Sequence, residues 1–208
     1  MTRTNIRRGL AAGGRRIGLL GGSFNPAHQG HLHISRYAIK ALALDAVWWL
    51  VSPQNPLKSS ADMAPLGDRM AAADAIVNDR RIIVTDVEQR LGTRYTADTI
   101  AALNDCFPDK QFVWIMGADN LVQFPRWKSW RTLFSSVPIA IFDRAPYSTT
   151  ALAGQAANVF ASSRYANRNA QRLADCTPPA WAFFHTPLHP ASASDIRANQ
   201  PRSDRSAT

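Results

Sequence analysis

Apolar residues fall along this chain in two alternating rhythms. Six short runs are largely apolar: Arg16–Gly22 (RIGLLGG), Asp45–Ser52 (DAVWWLVS), Arg81–Val87 (RIIVTDV), Gln111–Gly117 (QFVWIMG), Val137–Phe142 and Ala180–His185. Their length and their β-branched and aromatic content predict buried strands. Between them, apolar positions recur at helical spacing. The clearest case is Gly30–Leu44, with Leu32, Tyr37, Ile39 and Leu42 in step. Leu66–Asn78 and Thr96–Phe107 follow, then shorter helical stretches at Asn120–Phe124 and Lys128–Ser135. A proline-containing loop covers Ser52–Ala64, residues 143–176 read as helix with loops, and a short helix starts at Ser194. Strands that alternate with helices build βαβ units. The expectation is an α/β fold, with one doubly wound, Rossmann-like parallel sheet in a single domain. Ligands of such sheets gather at the carboxyl ends of the strands.

Composition narrows this picture. The chain has 208 residues, 46% of them hydrophobic, too apolar for a disordered protein and long enough for one sizeable core. No run approaches the ~18 apolar residues of a membrane span. The net charge of +9 suggests a polyanionic partner, yet it is unevenly spread. Arg3, Arg7, Arg8, Arg15 and Arg16 supply five of these charges with no acid among residues 1–16. Arg202 and Arg205 against Asp204 supply one more, which leaves +3 for residues 17–197. The expected organisation is therefore a disordered basic tail at 1–15, a folded domain at 16–197 and a second disordered tail at 198–208. The N-terminal stretch lacks the apolar segment of a secretory signal. Cys106 and Cys176 sit in no metal-binding spacing, so a reducing cytoplasm is expected. Cys106 and five tryptophans (Trp48, Trp49, Trp114, Trp130 and Trp181) read as core.

The chemistry concentrates where the first run ends. Gly21 and Gly22 allow close backbone approach to a ligand, and the following Ser23-Phe24-Asn25-Pro26-Ala27-His28-Gln29-Gly30-His31 leads into a helix. A helix N-terminus offers unpaired N–H groups and a positive dipole end, both suited to phosphate. His28 and His31, three apart, share one face there. A single histidine at this place would read as a helix cap. A pair, after Gly-Gly in a βα turn, points to phosphate oxygens. The pattern is neither the dinucleotide fingerprint nor a Walker loop. His33 faces elsewhere and reads as structural.

These residues carry a resemblance. Gly-Gly-Ser-Phe-Asn-Pro-Ala-His-Gln-Gly-His resembles the signature of the nucleotidyltransferase superfamily with the H-x-G-H motif. Asn55-Pro56-Leu57-Lys58, Tyr95-Thr96-Ala97-Asp98-Thr99, Gly117-Ala118-Asp119-Asn120, Phe124-Pro125-Arg126-Trp127 and Ser192-Ala193-Ser194-Asp195-Ile196-Arg197 follow in order. Together, over residues 16–197, they resemble the bacterial nicotinate-nucleotide adenylyltransferases. Two departures stand out: Leu57 precedes Lys58 where many members have histidine, and Asp195 adds a negative charge to the closing motif.

The resemblance implies an enzyme of NAD biosynthesis that joins ATP and nicotinate mononucleotide into deamido-NAD and pyrophosphate. It implies His28, His31 and Arg197 as the catalytic groups. ATP would be held by Gly21, Gly22, Ser23, Phe24, Gly30, Gly117, Asp119 and Ser194. Nicotinate mononucleotide would be held by Asn55, Lys58, Tyr95, Thr96 and Trp127. Mg²⁺ would travel with the phosphates and need no protein metal site. Plainer readings stand beside these roles: Asp119 as a helix cap, Trp127 as core, Lys58 and the Ser194–Arg197 helix as solvated surface. Related transferases using nicotinamide mononucleotide or phosphopantetheine are the alternatives. A basic nucleic-acid-binding module is a further one, though no nucleic-acid motif supports it. Neither nucleic acid nor membrane is expected as a partner.

Overall fold

The computed structural model describes residues 6, 7, 10, 14–53, 63–144, 146–187, 191, 193, 196 and 197. Among these residues seven strands form one sheet in the order β3-β2-β1-β4-β5-β7-β6, every neighbouring pair parallel. They are β1 (Arg16–Gly22), β2 (Ala46–Val51), β3 (Ile82–Thr85), β4 (Gln111–Gly117), β5 (Ile139–Phe142), β6 (Arg164–Tyr165) and β7 (Trp181–Phe184). The doubly wound α/β expectation holds. Six strands lie where the apolar runs predict them. The seventh, β6, is two exposed residues and leaves no apolar signature.

Side chains alternate across the sheet, so each strand must satisfy two cores. Trp48 and Trp49 go to opposite faces and both are fully buried. One face also holds Leu19, Trp114, Ile141 and Phe183, covered by α4 (Thr96–Cys106), α5 (Ala118–Gln123) and α6 (Trp130–Phe134). The other holds Leu20, Val113, Phe142 and Phe184, covered by α1 (Gln29–Ala41) and α2 (Leu66–Ile76). Cys106 and the five tryptophans assigned to the core are all buried.

Two stretches differ from expectation. Residues 87–91 form a short helix, α3 (Val87–Leu91), rather than the end of a strand, and Gly92 closes it in the left-handed conformation (φ +67°). Ile6 and Leu10 are helical and buried in the core, with Arg7 3.6 Å from Asp109. Among the described residues the folded body therefore begins before residue 16. Two apolar residues one turn apart among arginines are too short a pattern to register in the sequence. Residues 143–176 form α7 (Ser148–Leu152), α8 (Gln155–Val159), β6 and 3-10 turns. Among the described residues no helix is long and apolar enough to cross a membrane.

The strand order reverses between the neighbours β1 and β4, since the chain runs outward from β1 to β3 on one side and from β4 onward on the other. The loops leaving their carboxyl ends diverge there and open a crevice.

Candidate active site

A cavity of about 550 Å³ lies at this switch point, within the size range of small-ligand sites. Eleven of the residues expected at the site line it: Gly21, Gly22, Ser23, Phe24, His28, His31, Tyr95, Thr96, Asp119, Trp127 and Arg197. Gly30 and Gly117 do not line it but stand directly behind groups that do. Asn55, Lys58 and Ser194 lie outside the described residues.

The β1–α1 connection is built around a strained residue. Phe24 has φ +46°, a left-handed conformation that costs a bulky residue about 1–3 kcal/mol. Its ring is 2% exposed, stacked on Trp49 at 5.0 Å and tilted against His31 at 4.7 Å, and this packing holds the strain. Gly21 has to be glycine, because a Cβ there would come within 2.4 Å of the Trp114 ring.

The two histidines cap α1 as well as face the cavity. His28 is the N-cap: its Nδ1 accepts from Gly30 N at 3.1 Å, and Nδ1 of His31 accepts from His28 N at 3.1 Å. An Nδ1 that accepts cannot carry the proton. The neutral rings therefore carry it on Nε2, which makes Nε2–H a donor. Capping and phosphate binding are not rivals here, since the cap uses one nitrogen and orients the other. The rings sit 3.8 Å apart. A Ser35 hydroxyl, fully buried, donates to His31 O at 2.8 Å and accepts from Trp49 Nε1 at 2.8 Å, tying the first turn of α1 to β2. His33, by contrast, meets Pro187 O at 2.9 Å. Arg197 donates to Asn25 O at 2.5 Å, which brings the closing segment over the first loop.

At the end of β4, Gly117 is the N-cap of α5, and no side chain caps this helix. Asp119 is therefore not a helix cap. Its Oδ2 lies 3.0 Å from Arg144 Nη1, while Oδ1 is buried without a hydrogen-bond partner among the described residues. A buried acceptor beside a nucleotide-sized cavity suits a ribose hydroxyl. The neighbouring Asp143 accepts from Ser148 Oγ and lies 3.2 Å from His185 Nδ1.

The start of α4 forms the other end of the cavity. Tyr95 is its N-cap, with no side-chain cap bond. Lys128 Nζ stands 4.4 Å over the Tyr95 ring and 3.2 Å from Asp98. Trp127 is partly buried, tilted against Phe124 at 4.9 Å.

Sequence reading missed Glu88, Arg94, Arg126 and Arg144, which all line the cavity. Arg144 and Glu88 follow strands β5 and β3 by two and three residues, so the strand-end rule was the available signal. Glu88 is 6% exposed. Burial pushes its carboxyl above the ordinary range, against hydrogen bonds from Ser52 and Thr99 that favour the charged form. The Thr99 hydroxyl also lies 2.9 Å from Thr93 Oγ1 and 3.2 Å from Tyr95 O. Its single proton serves one of these partners at a time.

Folding therefore raises the Glu88 pKa. Between the unfolded and folded pKa the native state keeps a proton that the unfolded chain has lost, so stability falls as pH rises through that window. Glu88→Gln has no such penalty. Its stability advantage over wild type is expected to be absent below about pH 4 and to grow above it. Urea melts across the pH range check this; a pH-independent difference contradicts it.

The cytidylyltransferase-like family model matches residues 19–199. A protein of Parvibaculum lavamentivorans named "Probable nicotinate-nucleotide adenylyltransferase" is 51% identical, over 92% of this chain and 95% of its own length. A Brucella abortus protein of the same name is 45% identical over 88% and 95%. Among solved structures, the Plasmodium falciparum nicotinic acid mononucleotide adenylyltransferase complexed with NaAD has a TM-score of 0.66 at 16% identity, over 89% of this chain and 83% of that one. At that identity the likeness speaks for the fold.

Proposed function

The chain belongs to the nicotinate-nucleotide adenylyltransferases of the cytidylyltransferase-like family, and from that premise we propose that it transfers AMP from ATP to nicotinate mononucleotide, forming deamido-NAD and pyrophosphate. The observation that carries this reading is the meeting of two half-sites in one cavity. The paired histidine donors and Arg197 suit a triphosphate, and the uncapped helix start beside Trp127 suits an anionic aromatic ring.

A phosphate oxygen of the mononucleotide attacks the α-phosphorus of ATP. A new P–O bond forms as the bond to the bridging oxygen breaks, and pyrophosphate leaves with the electron pair. The attacking phosphate has a second pKa of about 6 and is anionic at neutral pH, so no general base is needed. The work left to the protein is alignment and charge stabilisation. His28 and His31 donate to phosphate oxygens, and Arg197 and Ser194 complete the triphosphate site. Asp119 accepts from the adenosine ribose. Backbone N–H groups at Tyr95 and Thr96 receive the nicotinate carboxylate, Trp127 stacks on the ring, and Asn55 and Lys58 reach the mononucleotide phosphate. Among the described residues no three His, Cys, Asp or Glu side chains gather as metal ligands. Mg²⁺ would come with the ATP phosphates and would supply charge neutralisation on the leaving group. The cytoplasm is the compartment this reading implies, in keeping with two cysteines that form no disulfide.

Pyrophosphate release with ATP and either nicotinate or nicotinamide mononucleotide tests the proposal. Release with the nicotinate substrate is expected to be the faster. No release with either substrate overturns the reading. In the same assay Trp127→Ala is expected to raise KM for the mononucleotide about 10-fold or more, as a stacking loss of ~1–3 kcal/mol requires. Its kcat should change less, because stacking is felt equally in ground and transition states. An unchanged KM removes Trp127 from the site.

A further inference from the structure

Arg69, in the first turn of α2, is 2% exposed. Among the described residues no carboxylate pairs with it. Its partners are four backbone carbonyls. Nε donates to Ala64 O at 2.8 Å, Nη1 to Ser23 O at 2.6 Å and to Ser52 O at 2.8 Å, and Nη2 to Pro53 O at 3.1 Å. Four of the five guanidinium N–H groups are engaged. Burial without a counter-ion pulls its pKa below the ordinary arginine value. A cation kept in such a place needs a reason beyond stability, since an apolar side chain avoids the desolvation cost.

The carbonyls come from three places that the site depends on. Ser23 lies in the loop after β1, Ser52 and Pro53 lie at the end of β2, and Ala64 leads into α2. Ser52 N also donates to Gly22 O at 2.9 Å, so the two strand ends are already linked. Across a trans peptide the C=O and N–H point in opposite directions. With Ser23 O directed at Arg69, the Phe24 N–H is directed away from it, and Ser23 and Phe24 both line the cavity. The left-handed Phe24 is the residue whose peptide would turn over if that carbonyl were released.

We propose that Arg69 is a positioning residue for adenylyl transfer: its fork holds the Ser23–Phe24 peptide with the Phe24 N–H turned toward the ATP phosphates and locks that peptide to the end of β2. This rests on the adenylyl transfer proposed above. Lysine cannot replace it, because an ammonium is a point donor and lacks the planar fork.

The test is steady-state kinetics of Arg69→Lys and Arg69→Met, at temperatures where circular dichroism shows both folded. The expected result is a kcat lowered about 10²-fold, the size of a small misplacement at the reacting centre, with KM for nicotinate mononucleotide within about threefold. Variants that melt earlier but keep wild-type kcat overturn the proposal, because Arg69 then only stabilises the fold. Independently of the variants, the wild-type Phe24 amide should shift in ¹⁵N–¹H spectra when a non-hydrolysable ATP analogue is added with Mg²⁺. An unmoved Phe24 amide also overturns it. Wild type that releases no pyrophosphate defeats the adenylyl reading itself, an outcome distinct from active wild type with unaffected variants.

Discussion

His31→Ala is expected to lower kcat by about 10²–10⁴-fold while the protein stays folded. The ring has two duties. Nδ1 accepts from His28 N at 3.1 Å and closes the capping box of α1. Nε2–H is the donor proposed for the transferring phosphoryl group. Losing the cap costs about 0.5–2 kcal/mol, a modest drop in melting temperature. The duties are separable. Glutamate is the ordinary partner at this position of a capping box and also suits the positive end of the helix. His31→Glu should therefore recover the stability lost in His31→Ala, yet stay at least as inactive, since a carboxylate repels the phosphates. Pyrophosphate release and thermal melts on the two variants make the measurement. Near-normal turnover in His31→Ala would remove the histidine from the mechanism.

Gly30→Ala is the second large effect, and it should fall on activity rather than on stability. Gly30 is buried in the first turn of α1 and is not among the positive-φ residues. Alanine fits that backbone, and helix propensity alone favours it by about 0.5–1 kcal/mol. A Cβ at this position, however, would stand 2.9 Å from Cε1 and Nδ1 of His28 and 3.3 Å from Ala191 O. The His28 ring has to move, and its bond from Gly30 N breaks with it. The propensity gain and the lost cap, about 0.5–2 kcal/mol, largely offset, so the expected outcome is a melting temperature near wild type with kcat reduced about 10²-fold, the scale of a misplaced catalytic group. A variant that is both stable and fully active would show that the placement of His28 does not matter.

The strands were legible because parallel strands buried on both faces must be apolar throughout. DAVWWLVS is that pattern, and both tryptophans prove fully buried. α3 was not legible. Val87 continues the apolar run of β3, and only the left-handed Gly92 and the buried Glu88 beyond it give the segment its turn. The buried pair Ile6 and Leu10 was hidden by the arginines around it. At the site, residues in contiguous motifs (Gly21 to His31, Tyr95-Thr96, Asp119 and Trp127) could be found in the sequence. Glu88 and Arg144 carried only the general signal of lying just past a strand end, and Arg69 carried none, since it meets the strand ends from a separate element and no local spacing records the meeting.

By itself the sequence determined what local chemistry can encode. That covers the alternation of strands and helices, the glycines at the end of β1, and two histidines one helical turn apart. Periodicity, turn chemistry and helix geometry act over a few residues, so they are written in a few residues. Tertiary structure alone decided the rest. It left one buried Asp119 oxygen beside Arg144 without a hydrogen-bond partner among the described residues, and it brought four carbonyls from three segments onto Arg69. Each of these depends on distances between residues far apart in the chain, which chain closure and packing fix and a linear pattern does not.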